Sequence, residues 1–297
     1  MPNDTKEYAV VIPTLNAGGT IQPLIDALHA QTLPPGEILV VDSASDDDTV
    51  RLASERPGVR VIPIRRSDFD HGGTRDMAIG RCDAPFVVLM TQDALPADPG
   101  CMAALLAPMA DPSVAAVCGR QVARPDATLR ETAVRACRYP AESRCWGRED
   151  IASMGMRAYL LSHVCAADRR TAYDAVGGFT HSLMTNEDML MAADLLNAGY
   201  RLAYAADARV WHSHSYTLRQ EYRRNRRIGA FLAQYGPRFQ GGAMGVGLHM
   251  VKRVLRALLR ERAFGEIIPF ALNCAARLLG NRAGRRDRRR EVRNGQR

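Results

Sequence analysis

Between residues 8 and 120, short apolar runs alternate with amphipathic stretches, and this alternation constrains the fold more than any single residue. Tyr8–Ile12, Ile38–Val41, Val59–Ile64, Phe86–Met90 and Val114–Val117 read as strands, too short for helices and bounded by turn residues. Between them Ile21–Ala30, a segment opening on Asp46-Asp47-Asp48, Thr74–Arg81 and Pro99–Met109 read as helices, since acidic residues suit a helix amino end. A βαβα order predicts an α/β fold, a Rossmann-like and mostly parallel sheet with helices on both faces. Polar residues gather at the carboxyl ends of the strands: Thr14 and Asn16, Asp42, Ser43 and Ser45, Arg65 and Arg66, Gln92 and Asp93. Loops at that rim are where open α/β sheets take ligands. No GxGxxG follows the first strand, which argues against a dinucleotide-binding oxidoreductase. Asp93, alone after the apolar run Phe86–Met90, suits a divalent metal set against a diphosphate, or equally a turn.

Beyond this region the pattern loosens. Residues 121–165 read as a less regular, variable acceptor-side segment, followed by helices at Arg169–Val176 and Glu187–Ala198. The second of these is capped by Thr185 or Asn186 and ends at Gly199. Short strands at Leu202–Tyr204 and Arg209–Trp211 precede a basic helix at Leu218–Gln234. The segment Met1–Tyr8 has no apolar leader, and no run approaches the roughly 18 apolar residues of a membrane span. The seven cysteines form no CxxC pair, so neither a zinc site nor a disulfide framework is expected and a reducing cytoplasm is the default.

The motifs then take a definite order. Ile12-Pro13-Thr14-Leu15-Asn16, Val41-Asp42-Ser43-Ala44-Ser45-Asp46, Thr91-Gln92-Asp93-Ala94, Gly177-Gly178-Phe179, Glu187-Asp188 and Val210-Trp211-His212 follow one another along the chain. In this order they resemble family 2 glycosyltransferases of the GT-A fold. Phe69-Asp70-His71-Gly72-Gly73-Thr74-Arg75 and His212-Ser213-His214-Ser215-Tyr216 narrow the resemblance to the rhamnosyltransferase-like branch, which uses dTDP-L-rhamnose. It spans about residues 8–235 and implies an inverting transfer of sugar to a hydroxyl of a saccharide or lipid-linked saccharide.

The resemblance also implies roles, each with a plainer alternative. Pro13, Thr14, Asn16, Asp42, Ser43, Gln92 and Asp93 would bind the donor nucleotide, although Asp42 also suits a capped turn over Ser43–Asp46. Asp93 would ligate Mg²⁺ or Mn²⁺, its usual partner acid replaced by Gln92, with His212 as a further ligand or diphosphate contact, or a structural histidine, and His214 as a second ligand, a phosphate contact or only a group behind the ligands. Asp188 would be the catalytic base, ionised at its ordinary pKa and further favoured as an anion by a helix first turn. Glu187 and Trp211 would face the acceptor. In the Gly72-Gly73-Thr74-Arg75 turn, backbone N–H groups would approach the diphosphate and Arg75 would neutralise it, while Asp70 or His71 touch the sugar. Relatives often carry Asn where Asp76 stands.

The carboxyl end has a different character. The chain is +8 overall, yet Lys252–Arg297 alone holds 14 basic and 4 acidic residues. Leu248, Val251, Val254, Leu255, Leu258 and Leu259 form one helical stripe flanked by Lys252, Arg253, Arg256, Arg260 and Arg262. This is the pattern of a helix lying on an anionic membrane surface, or of one packed on the catalytic domain. Phe264–Leu279 offers a second apolar helix interrupted at Pro269, and the Arg-rich stretch after Asn281 reads as disordered. The expected division is a catalytic domain at 1–240 and a basic extension at 241–297, in a cytoplasmic enzyme held peripherally at the inner membrane face. UDP-hexose or galactofuranose donors, or an RNA-binding role for the basic tail, are the competing readings. No nucleic-acid recognition motif is present, so no nucleic-acid partner is expected.

Overall fold

The computed structural model describes residues 7–214, 216–240 and 244–295. The first six residues of Met1–Tyr8, Ser215 of the histidine motif, the first residues after the expected 240/241 boundary and the last two of the tail lie outside the described residues.

The α/β expectation holds. The amino-terminal part runs β1 (Tyr8–Thr14), α1 (Ile21–His29), β2 (Glu37–Asp42), α2 (Thr49–Ser54), β3 (Val59–Pro63), α3 (His71–Ile79), β4 (Phe86–Met90), β5 (Leu95–Pro96) and α4 (Cys101–Leu106). The middle adds β6 (Val114–Val122), α5 (Leu129–Arg138), β7 (Arg144–Trp146), α6 (Ile151–Met154), β8 (Cys165–Arg169) and α7 (Arg170–Ala175). Then follow α8 (Glu187–Asn197), β9 (Arg201–Trp211), α9 (Leu218–Tyr235), α10 (Met244–Arg260) and α11 (Ile267–Gly295).

The strands form one sheet in the order β3-β2-β1-β4-β8-β6-β9-β5, with β7 also on β9. β3, β2, β1 and β4 are mutually parallel, β8 runs antiparallel between β4 and β6, and β9 is again parallel to β6. The carboxyl ends of β1, β4, β6 and β9 therefore share one edge, and the chain order reverses between β1 and β4. A crevice opens at such a reversal. Both faces of β1 are covered. Tyr8, Val10 and Ile12 pack with α1 and α4, whereas Ala9 and Val11 pack on the side of α3 and α8. Burial on both faces explains why these strands read as unbroken apolar runs.

Four sequence expectations change. The two short strands after Gly199 are one strand, β9, in which the pairing with β6 jumps from Gly119↔Ala205 to Arg120↔Arg209. The looped-out residues are tolerated because position 119 lacks a Cβ, which would meet the Ala208 carbonyl at 2.7 Å. Residues 121–165 are not irregular, since they hold the end of β6, α5, β7 and α6. Pro269 interrupts nothing. It sits in the first turn of α11, where no intrahelical N–H is needed.

The stretch after Asn281 is helical rather than disordered, because α11 lies against α9. Arg277 pairs with Glu221 at 2.7 Å and Arg226 with Asp287 at 2.7 Å. Gly229, Gly280 and Gly284 leave the two backbones in contact, and a Cβ on any of them would land on main-chain atoms of the facing helix. Of the apolar stripe on α10, Val254 and Leu258 are buried with Phe270 against Leu129, Ala133 and Val134, so this part of the stripe packs on α5. Leu248 and Leu259 remain exposed.

Candidate active site

The loops after β1 and β2 are laced together. The Asp42 carboxylate, 1% exposed, accepts from the Thr14 hydroxyl (2.9 Å), the Ser45 hydroxyl (2.6 Å) and the Ser45 N–H (2.8 Å). Asn16, in the left-handed region at φ 51°, donates its N–H to Ser45 Oγ and accepts from the Asp46 N–H. Ala44 is also left-handed, at φ 58°. Asp42 thus does what its turn-capping alternative required and holds the loop after β2, while Ser43 is buried beside it. Pro13 and Thr14 end β1 at the same edge. Across the reversal point, Gln92 clasps Leu15, accepting its N–H at 2.8 Å and donating to its carbonyl at 3.2 Å.

Just beyond Gln92 the structure brings three sequence-predicted ligands together. His212 Nε2 and His214 Nε2 lie 3.0 Å apart, and Asp93 Oδ2 is 3.5 Å from the first and 3.3 Å from the second. Asp93 follows β4 and the histidines follow β9, so parallel strands deliver donors to one point. Ligands about 2.1 Å from one ion and at right angles to each other stand about 3 Å apart, so these separations fit one face of an octahedron. Burial pushes the His212 imidazolium down to about 3, against the opposing pull of Asp93, and burial lowers His214 as well. Both rings are therefore neutral near pH 7, the form that ligates a metal. Trp211, at the end of β9 opposite Leu95, stands one residue before this triad.

Two neighbours of the triad escaped the sequence reading. Gln121, 3% exposed, has its Oε1 3.0 Å from His212 Nδ1, accepts a hydrogen bond from Arg135, and donates to Ser162 Oγ at 2.8 Å. Arg124 donates to the Asp93 carbonyl at 3.1 Å. The available signal was the apolar run of β6, which continues to Val122 and carries Arg120-Gln121 to the ligand edge.

The second cluster surrounds the start of α8. Asn186 is the N-cap, as expected, but it is left-handed at φ 66° and makes no side-chain cap bond. Asp188 is partly buried and accepts the Met189 N–H at 2.8 Å. Burial, followed by the Glu187 carboxylate, pushes its pKa up to about 6 against the lowering effects of His163 and Arg75. The expectation of a carboxylate favoured as an anion is therefore reversed, because the helix end acts less strongly than burial and a like charge. Glu187, 6% exposed, is paired with Arg75, itself buried and lying over the Phe179 ring at 5.8 Å.

The reading of Gly72-Gly73 as an open anion cradle also changes. Both glycines lie inside α3, whose amino end is closed by Asp70 accepting from the Gly73 N–H at 2.8 Å. A Cβ at Gly72 would meet the Thr180 carbonyl at 2.7 Å, so that glycine serves close packing against the 177–181 loop. His71 stacks edge-on to Phe69 at 4.9 Å. Asp76 holds the same loop, accepting from the Tyr173 hydroxyl, the Phe179 N–H (3.1 Å) and His181 (2.5 Å).

Comparison with known proteins adds the following. The sequence profile of Glycosyl transferase family 2 matches residues 9–177. The O-antigen chain rhamnosyltransferase RfbN of Salmonella typhimurium is 38% identical over 283 residues, covering 94% of this chain and 90% of that protein. The O-antigen chain rhamnosyltransferase WbaN of Salmonella anatum is 38% identical with 94% and 89% coverage. Among solved structures, the mannosyltransferase PcManGT from Pyrobaculum calidifontis in complex with GDP-Man and Mn²⁺ superposes with a TM-score of 0.63 at 19% identity, covering 94% of this chain and 88% of that one. TarS of S. aureus in complex with UDP-GlcNAc gives 0.56 at 14% identity, with 96% and 92% coverage.

Proposed function

This chain belongs to glycosyl transferase family 2 and is a sugar-transferring enzyme of the GT-A fold, and on that premise we propose that it moves L-rhamnose from dTDP-L-rhamnose to a hydroxyl of a lipid-linked saccharide. The choice of sugar is supported by 38% identity to two O-antigen chain rhamnosyltransferases over nearly the whole chain. The single observation that carries the site assignment is the convergence of Asp93, His212 and His214 on one point at the carboxyl edge of the sheet.

Family 2 enzymes invert, so one displacement suffices. The acceptor oxygen attacks the anomeric carbon as the bond to the diphosphate oxygen breaks, and the acceptor's proton passes to the Asp188 carboxylate. The transition state is oxocarbenium-like, and no covalent sugar–enzyme bond forms. Asp93, His212 and His214 would hold a divalent ion, which would supply counter-charge to the departing diphosphate. Two imidazoles and one carboxylate suit Mn²⁺ better than Mg²⁺. Arg75, committed to Glu187, orients the start of α8 in place of the diphosphate contact expected from the sequence. The loops of Asn16, Asp42 and Gln92 shape the nucleotide pocket, and Trp211 and the Glu187 side of α8 face the acceptor.

Calorimetry tests the donor site: dTDP-rhamnose against UDP-glucose, each with Mn²⁺ and with EDTA, on wild type and Asp93→Ala. The expected result is thymidine-selective, metal-dependent binding that the substitution abolishes. Equal binding of UDP-glucose sinks the donor choice, and metal-independent binding sinks the metal site.

A lipid-linked acceptor places the enzyme at the inner face of the cytoplasmic membrane. Among the described residues no helix is long and apolar enough to cross one. Leu248, Leu259, Phe264, Ile268, Leu272 and Leu279 are nevertheless exposed on helices rich in arginine, the composition of a surface-binding element. Co-sedimentation with anionic liposomes at low salt, lost at high salt, is the expected behaviour, and a protein left wholly in the supernatant sinks this placement.

A further inference from the structure

We propose that Gln121, held by Arg135, is a positioning residue that sets the tautomer of His212 and thereby makes its Nε2 a metal-ligating lone pair. The inference rests on the metal reading of the Asp93–His212–His214 triad. A guanidinium is only a donor, so the Gln121 atom facing Arg135 is its carbonyl oxygen, Oε1. The amide nitrogen then points the other way, and it donates to Ser162 Oγ at 2.8 Å. The same Oε1 lies 3.0 Å from His212 Nδ1. An oxygen with no hydrogen needs a donor there, so Nδ1 carries the proton and Nε2 is bare. Nε2 is the atom turned toward His214 and Asp93.

Gln121 is the side chain that faces Nδ1, while His214 and Asp93 face Nε2. Its backbone N–H is committed to the Val122 carbonyl at 3.0 Å, and the ring is 6% exposed, so water does not supply a substitute partner for Nδ1. Arg135 is itself fixed, since its Nε donates to Glu131 at 2.9 Å within α5. The three-step arrangement of cation, amide and imidazole is the kind of outer support that fixes a ligating histidine's ring orientation, and its loss typically costs 10- to 100-fold in metal affinity. If Arg135 were absent, the Gln121 amide would be free to turn over, present its NH₂ to Nδ1 and drive the proton to Nε2.

The test has two readouts, neither of which is turnover. Mn²⁺ affinity is measured by electron paramagnetic resonance of the free ion, and the His212 tautomer by the ring ¹⁵N shifts of the metal-free protein. Wild type is expected to show the Nδ1–H form. Gln121→Leu is expected to bind Mn²⁺ about 10- to 100-fold more weakly and to lose the single tautomer. Gln121→Glu keeps an acceptor between Arg135 and His212, and is expected to hold Mn²⁺ within about threefold of wild type and to retain the Nδ1–H form. That variant also guards against a Leu substitution that fails to fold. Wild-type His212 found as the Nε2–H form overturns the proposal, as does a folded Gln121→Leu with unchanged affinity or a Gln121→Glu that loses the Nδ1–H form. Wild type that takes up no Mn²⁺ overturns the metal reading instead, while the tautomer assignment still stands or falls by the nitrogen spectrum.

Discussion

Asp188 shows how magnitudes reverse a residue-scale expectation. A helix amino end favours a nearby carboxylate by about 0.3–1 kcal/mol. A rise from 3.8 to about 6 corresponds to roughly 3 kcal/mol in the opposite direction, and it comes from burial and from Glu187 next door. A base with that pKa is still ionised at neutral pH and accepts a proton more readily than a free carboxylate. With Asp188 as the proposed base, kcat/KM is expected to fall about tenfold per unit below pH 6 and to be flat from 7 to 8. Asp188→Asn removes the limb and lowers kcat about 10²- to 10⁴-fold. Stability moves the other way. Because the folded pKa is raised, the stabilisation attached to the protonated group is complete below about pH 4 and is lost as pH rises through 6. The Asn variant is therefore more stable than wild type at pH 7.5, by up to about 3 kcal/mol, and the gap closes toward pH 4. Melting temperatures across that range check it, and a gap that widens as pH falls refutes the assignment. The residues the structure brings together were legible wherever a motif carried them, as with Asp93, His212 and His214. Gln121 and Arg135 carry no motif, because their role exists only through the partners the fold gives them.

At the scale of elements, legibility followed local burial. β1, β2 and β4 are covered on both faces, so their sequences announce them. α5 was missed because none of its ten residues is fully buried and its apolar positions meet a helix more than a hundred residues away. α3 was recognised but begun too late, since Gly72 and Gly73 read as a turn. The structure puts them inside the helix because Asp70 caps it and because the chain at Thr180 presses on its first turn. Gly72→Ala tests that account. The added methyl meets a main-chain oxygen at 2.7 Å, and overpacking of this kind costs about 1–3 kcal/mol. The loop that must yield leads through Asn186 to Asp188, so a loss of kcat beyond the loss of stability is expected. An Ala variant with wild-type melting and turnover would show that the first turn of α3 does not brace that loop.

The whole molecule is closed by contacts the sequence could not announce. A run of arginines reads locally as a solvated tail, because composition registers repulsion but not partners far along the chain. Here the partners are on α9, which leaves the triad loop three residues after Ser215. Glu221 is 3% exposed and receives two hydrogen bonds from Arg277, at 3.1 and 2.7 Å, and one from Asn225. Three glycines let the helices touch, so one long segment buries the Glu221 carboxylate against a half-buried cation. Breaking such a pair from one side costs about 3–5 kcal/mol, because the remaining charge is stranded. In Glu221→Ala the stranded group is Arg277, whose side chain is 30% exposed and swings toward water at reduced cost. The loss is therefore placed at the lower end, about 3 kcal/mol. Gly284→Leu acts on the same interface without touching charge, since its side chain falls on the main chain of Arg226 and Ala230 and forces the helices apart. If α11 is held by α9 as an integral layer, both substitutions expose the arginine-rich half of α11 to trypsin under conditions where the wild type resists cleavage. Rapid cleavage of wild type after Arg282–Arg290 would instead return this segment to the solvated tail its composition suggests.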